Sequence, residues 1–107
     1  MHKTRPEIKK IINKYKEVLR ILGVNAESAV LYGSYAKGNP HKDSDIDLVI
    51  VSKDFKKMNL RERLEVLGIA AVRIMQPIEA KGYTPEEIDM KRPASFLEEI
   101  LATGINI

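Results

Sequence analysis

The stretch V-L-Y-G-S-Y-A-K-G-N-P-H-K-D-S-D-I-D-L-V-I-V-S, residues 30–52, decides how the rest of this chain reads. It holds two apolar runs joined by a polar connection containing glycine and proline. Both runs are short and rich in β-branched or aromatic residues, which predicts strands over 28–33 and 45–52. Ser34 to Lys37 start a short helix or turn, and Gly38-Asn39-Pro40 breaks it. Ile46, Leu48, Val49, Ile50 and Val51 are nearly continuous, the mark of a strand covered on both faces at the centre of a small sheet. Side chains alternate along a strand, so Asp45 and Asp47 share a face with Cα atoms about 6.5 Å apart. Two carboxylates so placed raise each other's pKa unless a cation lies between them. Mg²⁺ suits such a pair, because it takes one or two carboxylates and completes its shell with water and phosphate oxygens. Gly33 lets the backbone approach a phosphate closely, and Ser34 offers an N–H and a hydroxyl.

Gly33-Ser34, ten intervening residues and then Asp45-x-Asp47 resemble the signature of the DNA polymerase β-like nucleotidyltransferase superfamily. The fuller string G-S-Y-A-K-G…S-D-I-D-L is similar to that of its minimal nucleotidyltransferase branch, which includes antitoxin partners of helical HEPN ribonuclease toxins. The resemblance extends over nearly the whole chain. It implies a third carboxylate in the strand after the second long helix, where the sequence offers Glu79; many relatives carry Asp there. It also implies nucleotide contacts from Gly33, Ser34, Lys37 and Ser44. Many relatives have Arg at the position of Lys37, and lysine keeps the charge without the bidentate fork. Lys42 is a further candidate phosphate contact, though a solvated loop lysine is the better reading of it, and His41 reads as an ordinary loop residue.

Outward from this stretch, Pro6 opens a helix whose Ile8, Ile11, Ile12, Tyr15, Val18, Leu19 and Leu22 form one apolar stripe ending at Gly23. Lys53 to Asn59 is a charged connection. Asn59 then caps a second helix traced by Leu60, Leu64, Leu67, Gly68, Ala71, Val72 and Met75, with Gly68 and Ala71 small enough for close packing on the sheet. A strand over 77–83 follows. Thr84-Pro85-Glu86-Glu87 is a helix start, with a cap, a first-turn proline and a glutamate placed for a capping box. A last helix covers about 94–103. The apolar end Ile105-Asn106-Ile107 fits a partner interface and packing on its own sheet equally well. The expected fold is α/β (α+β): a mixed three- to four-stranded sheet flanked by helices in one domain, residues 1–107, as the superfamily resemblance also implies.

Composition narrows the function classes. Cysteine is absent, which removes disulfides, thiolate catalysis and zinc–thiolate sites, and is compatible with the cytoplasm. No apolar run nears the ~18 residues of a membrane span. The net charge of +3 is uneven: residues 1–20 carry seven Lys/Arg against Glu7 and Glu17, and the remainder is −2. That basic helix reads as a solvated face; no aromatic-interleaved basic groove is present, so direct nucleic-acid binding is not expected. Neither G-x-x-x-x-G-K-[ST] nor G-x-G-x-x-G occurs, so P-loop and Rossmann sites drop out.

The expected activity is nucleotidyl transfer from ATP with two Mg²⁺ ions, or Mn²⁺, held by Asp45, Asp47 and Glu79. These three residues are also the catalytic candidates. Once the core is built, few residues remain for an acceptor domain, so the acceptor arrives on another chain. The resemblance implies a tyrosine of a HEPN toxin, which would make this chain an adenylylating antitoxin. The alternatives are a non-catalytic antitoxin that masks its toxin by contact, and a small-molecule transferase like the aminoglycoside enzymes. The first is opposed by the retained carboxylates, the second by the missing acceptor domain.

Overall fold

The computed structural model describes residues 3–38, 40, 45–93 and 95–107. Helix α1 (Arg5–Ile21) leads into β1 (Ser28–Tyr32), the short α2 (Gly33–Lys37) and β2 (Ile46–Val51). A 3-10 turn (Lys53–Lys57) precedes α3 (Leu60–Arg73) and β3 (Ile78–Tyr83). The chain finishes with α4 (Pro85–Asp89), α5 (Phe96–Thr103) and β4 (Ile105–Asn106). The sheet is mixed and four-stranded in the order β3-β2-β1-β4, with β2 and β3 parallel and the other two pairs antiparallel.

Local chemistry sets the helix starts. Thr4, Asn59 and Thr84 each close a capping box with the glutamate three residues on, respectively Glu7, Glu62 and Glu87. Each satisfies backbone N–H groups that the first turn leaves without partners. Gly38 ends α2 in the left-handed conformation, as its position before Asn39-Pro40 suggests.

Alternation along the strands divides the sheet into two faces. Ala29, Leu31, Ile46, Leu48, Ile50 and Ala80 pack with α1 and α3 in the main core, where Ile12, Tyr15, Leu19 and Phe55 are fully buried. The Tyr15 hydroxyl donates to the Leu67 carbonyl at 2.8 Å, tying α1 to α3 inside that core. Burial pushes the Tyr15 phenol well above its ordinary pKa. On the opposite face Val30, Val49 and Ile100 form a smaller cluster under α5. Tyr32, Asp47, Glu79 and Lys81 belong by alternation to that second face.

The structure decides or changes four local expectations. The terminal Ile105-Asn106 is a strand on β1, with Ile105 opposite Leu31, so the chain end serves its own sheet. The charged connection after β2 is a 3-10 turn whose Phe55 is buried against Gly82; a Cβ on Gly82 would lie 2.7 Å from that ring. Gly68 does not pack on the sheet: it is exposed, and a Cβ there would meet nothing. The apolar residues of α3 are split likewise. Leu67, Ala70 and Ala71 are buried, whereas Leu60, Leu64, Val72 and Met75 are exposed.

Candidate nucleotidyltransferase site

The site is assembled by strand pairing. Tyr32, the last residue of β1, stands opposite Asp47, and Asp47 stands beside Glu79 on the parallel neighbour β3. The two carboxylates come from positions 32 residues apart, brought level by the β2–β3 register. Asp45 immediately precedes β2 and is exposed.

Gly33 follows Tyr32 with φ +74°, and a Cβ built on it would collide with Asp47 Oδ2. The Gly33-Ser34 backbone therefore sits directly on the carboxylate, an approach that only glycine allows at that φ. Ser34 is half-buried as the second residue of α2, and Lys37 is exposed at its end. Tyr32, Gly33, Lys37 and Asp47 line a cavity of about 280 Å³ together with Phe96 and Glu99 of α5. A second, more open cavity of about 670 Å³ lies at the α3–β3 end of the sheet, with Asp45 and Glu79 among its lining residues.

Electrostatics identify Asp47 as the strained member. Burial, then the charges of Glu79 and Asp45, raise its pKa, and Lys81 opposes them. Among the described residues no three His, Cys, Asp or Glu side chains are arranged to hold a metal ion by themselves. The donor set nevertheless fits a divalent ion. Asp47 is held near two other carboxylates whose repulsion a cation would relieve, and a hard cation takes its remaining ligands from water and phosphate.

Lys81 is the residue sequence reasoning missed. Its ammonium donates to the Tyr32 hydroxyl at 3.1 Å and lies 5.7 Å from the ring centroids of both Tyr32 and Phe96. The signal was available: Lys81 stands two residues after Glu79, so a strand places both on one face. The hydrogen bond from Lys81 to Tyr32 raises the lysine's pKa, which keeps a cation beside the carboxylates. Tyr35, within the same G-S-Y-A-K-G string, is buried in the main core. Ser44, His41 and Lys42 lie outside the described residues.

Residues 8–102 match the family model described as a nucleotidyltransferase domain. Two Methanocaldococcus jannaschii proteins, provisionally named protein adenylyltransferases, are 35% and 33% identical over 65 and 66 residues. Each match covers 61% of this chain and 64% or 65% of the relative, just under two thirds of its length. Among solved structures, a toxin–antitoxin with AMP-PNP superposes with a TM-score of 0.63 at 20% identity, covering 88% of this chain and 69% of that one. A Sulfolobus solfataricus protein, provisionally described as a nucleotidyltransferase, gives 0.57 at 22% identity over 99% and 89% of the two chains. These superpositions establish the shared fold, and the match over residues 8–102 places this chain in the nucleotidyltransferase domain family.

Proposed function

We propose that this chain transfers AMP from ATP to a hydroxyl group of a partner protein, a tyrosine of a HEPN-type toxin, and so acts as an adenylylating antitoxin in the cytoplasm. The observation that carries the reading is the seating of Gly33-Ser34 against Asp47, with Glu79 in register beside it. A backbone open to phosphate beside acids suited to a divalent cation is the arrangement that phosphoryl transfer uses. The names of the M. jannaschii relatives support a protein as acceptor, and the toxin–antitoxin fold neighbour supports a toxin as that protein.

In this reading Gly33 and Ser34 hold the β- and γ-phosphates, with Lys37 and Ser44 as further contacts. Asp45, Asp47 and Glu79 would hold two divalent cations, Mg²⁺ or Mn²⁺, which when bound would polarise the attacking hydroxyl and steady the triphosphate. The acceptor oxygen bonds to the α-phosphorus, the bond from that phosphorus to the bridging oxygen breaks, and pyrophosphate leaves. The hydroxyl proton passes to the carboxylates, with Glu79 as its first acceptor. Lys81 opposes the rise in the Asp47 pKa that burial and the neighbouring acids cause.

The test is α-³²P-ATP with Mg²⁺, the purified protein and host lysate, with Asp45→Asn and Asp47→Asn as controls. Label on a discrete protein, at least a hundredfold above either control, is expected. Label confined to RNA or a small molecule would remove the protein acceptor, and transfer that survives loss of both acids would remove the site.

A further inference from the structure

We infer that the groove between the end of α3 and β3 is where the acceptor protein docks, its apolar side chains set on the exposed tail of α3 so that the hydroxyl between them reaches Glu79. This inference rests on the adenylyl-transfer reading above and names the surface that selects the acceptor.

The groove is lined by Gly68, Ala71, Val72, Met75, Pro77 and Ile78, and it ends at Asp45 and Glu79. Whatever fills it is therefore continuous with the carboxylates. Val72 is 75% exposed and Met75 87%, high values for apolar side chains that line one groove. Met75 has φ +54° because it ends α3, its N–H donating to the Val72 carbonyl and that of Gln76 to the Ala71 carbonyl, which turns its side chain out of the helix. Exposed apolar side chains beside candidate reactive groups are the kind of patch that marks an interaction surface.

Charge assigns the occupant. The groove has no lysine or arginine in its lining, so a triphosphate finds no counter-charge there. The opposite cavity supplies Lys37 beside Gly33, with Asp47 and Glu99 as acids that a divalent cation would offset. The nucleotide and the acceptor thus approach the carboxylates from two sides, as attack opposite the leaving group requires. The chain's own C-terminal strand lies along β1, on the far side of the sheet from this groove. A methionine and a valine around a small-residue floor suit an apolar protein surface whose side chains enter between them.

The decisive experiment places p-benzoylphenylalanine at position 75 and, separately, compares wild type with Val72→Glu/Met75→Glu and with Gly68→Met. All three proteins are incubated with α-³²P-ATP, Mg²⁺ and host lysate. Photocrosslinking from position 75 is expected to capture the same protein that wild type labels with AMP. Both substituted proteins are expected to label it at least tenfold more slowly, through KM, with unchanged affinity for a fluorescent ATP analogue. Gly68→Met adds bulk to an open helix position and preserves the apolar character, so its failure cannot be assigned to unfolding or to charge. Unchanged labelling by the variants would overturn the docking surface and leave adenylyl transfer standing. A crosslink to a second copy of this chain would overturn it too. No labelling by wild type would remove adenylyl transfer itself, and the docking inference with it.

Discussion

Helices α1 and α3 lie on the same face of the sheet, yet their apolar residues do different work. In α1, Ile8, Ile12, Tyr15 and Leu19 are buried, Ile11, Val18 and Leu22 of the same stripe are partly buried, and only Ile21, off the stripe, is exposed among its large apolar residues. In α3, buried Leu67, Ala70 and Ala71 alternate with exposed Leu60, Leu64 and Val72. A helix that needs only to close a core keeps one apolar stripe. A helix with apolar residues on two sides either is surrounded by protein or presents one side to a partner. The difference makes α1 a scaffold and α3 both a scaffold and a presenting surface.

The largest test of that contrast is truncation. Ile12→Ala on α1 should cost about 2–5 kcal/mol, because the emptied space is enclosed on all sides. Leu64→Ala on α3 should stay within about 0.5 kcal/mol, as surface substitutions do. Urea denaturation of the two variants measures both, and equal losses would erase the distinction between the helices. Next in size is Tyr15→Phe. It removes the hydroxyl that bonds the Leu67 carbonyl, the polar tie between the two helices, and should cost about 1 kcal/mol. A loss near zero would mean that packing alone joins them.

Met75→Gly is smaller and opposite in sign. Met75 follows the α3 C-cap in a left-handed conformation, a position where glycine is the ordinary occupant. Relief of the Cβ penalty, offset by glycine's greater freedom when unfolded, should stabilise the fold by about 0.5–1 kcal/mol. The same change removes a side chain from the proposed docking groove. A higher Tm with slower labelling of the acceptor is the expected pair of results. A lower Tm would show that the methionine is a packing residue after all.

The same contrast explains what was legible in the chain. The stripe of α1 and the continuous apolar run of β2 announced themselves, because each has one role and one periodicity. Gly33, Asp45 and Asp47 were legible because two short, spaced motifs fall on either side of one connection. Residue-level patterning could not say that Glu79 would come level with Asp47, since register between separated strands is set by the whole sheet. The resemblance to a known superfamily supplied that expectation. Gly68 was misread because a small residue on an apolar helix means close packing only if something stands opposite it, and nothing does. Lys81 escaped notice because its partners, Tyr32 and Phe96, lie 49 and 15 residues away and meet only in the folded sheet.

The second face of the sheet offers the subtlest test. Asp47 has a raised pKa in the folded protein, chiefly from burial and then from Glu79 and Asp45. Below the ordinary aspartate value it is protonated in both the folded and the unfolded states and carries no penalty. As the pH rises through the window between that value and the raised folded one, the unfolded chain has released its proton while the folded chain retains it. Stability falls across that window, and above it the whole penalty is present. Asp47→Asn carries no such charge, so it should be more stable than wild type at pH 7, with the gap closing as the pH falls below the ordinary aspartate range. Mg²⁺ should raise the Tm of wild type and do less for the variant, because the cation and the substitution relieve the same repulsion. Thermal denaturation across pH, with and without Mg²⁺, measures both effects without requiring turnover. A pH-independent gap would mean that Asp47 is not the charge the fold holds in tension. A Mg²⁺ response equal in the two proteins would move the cation away from this strand.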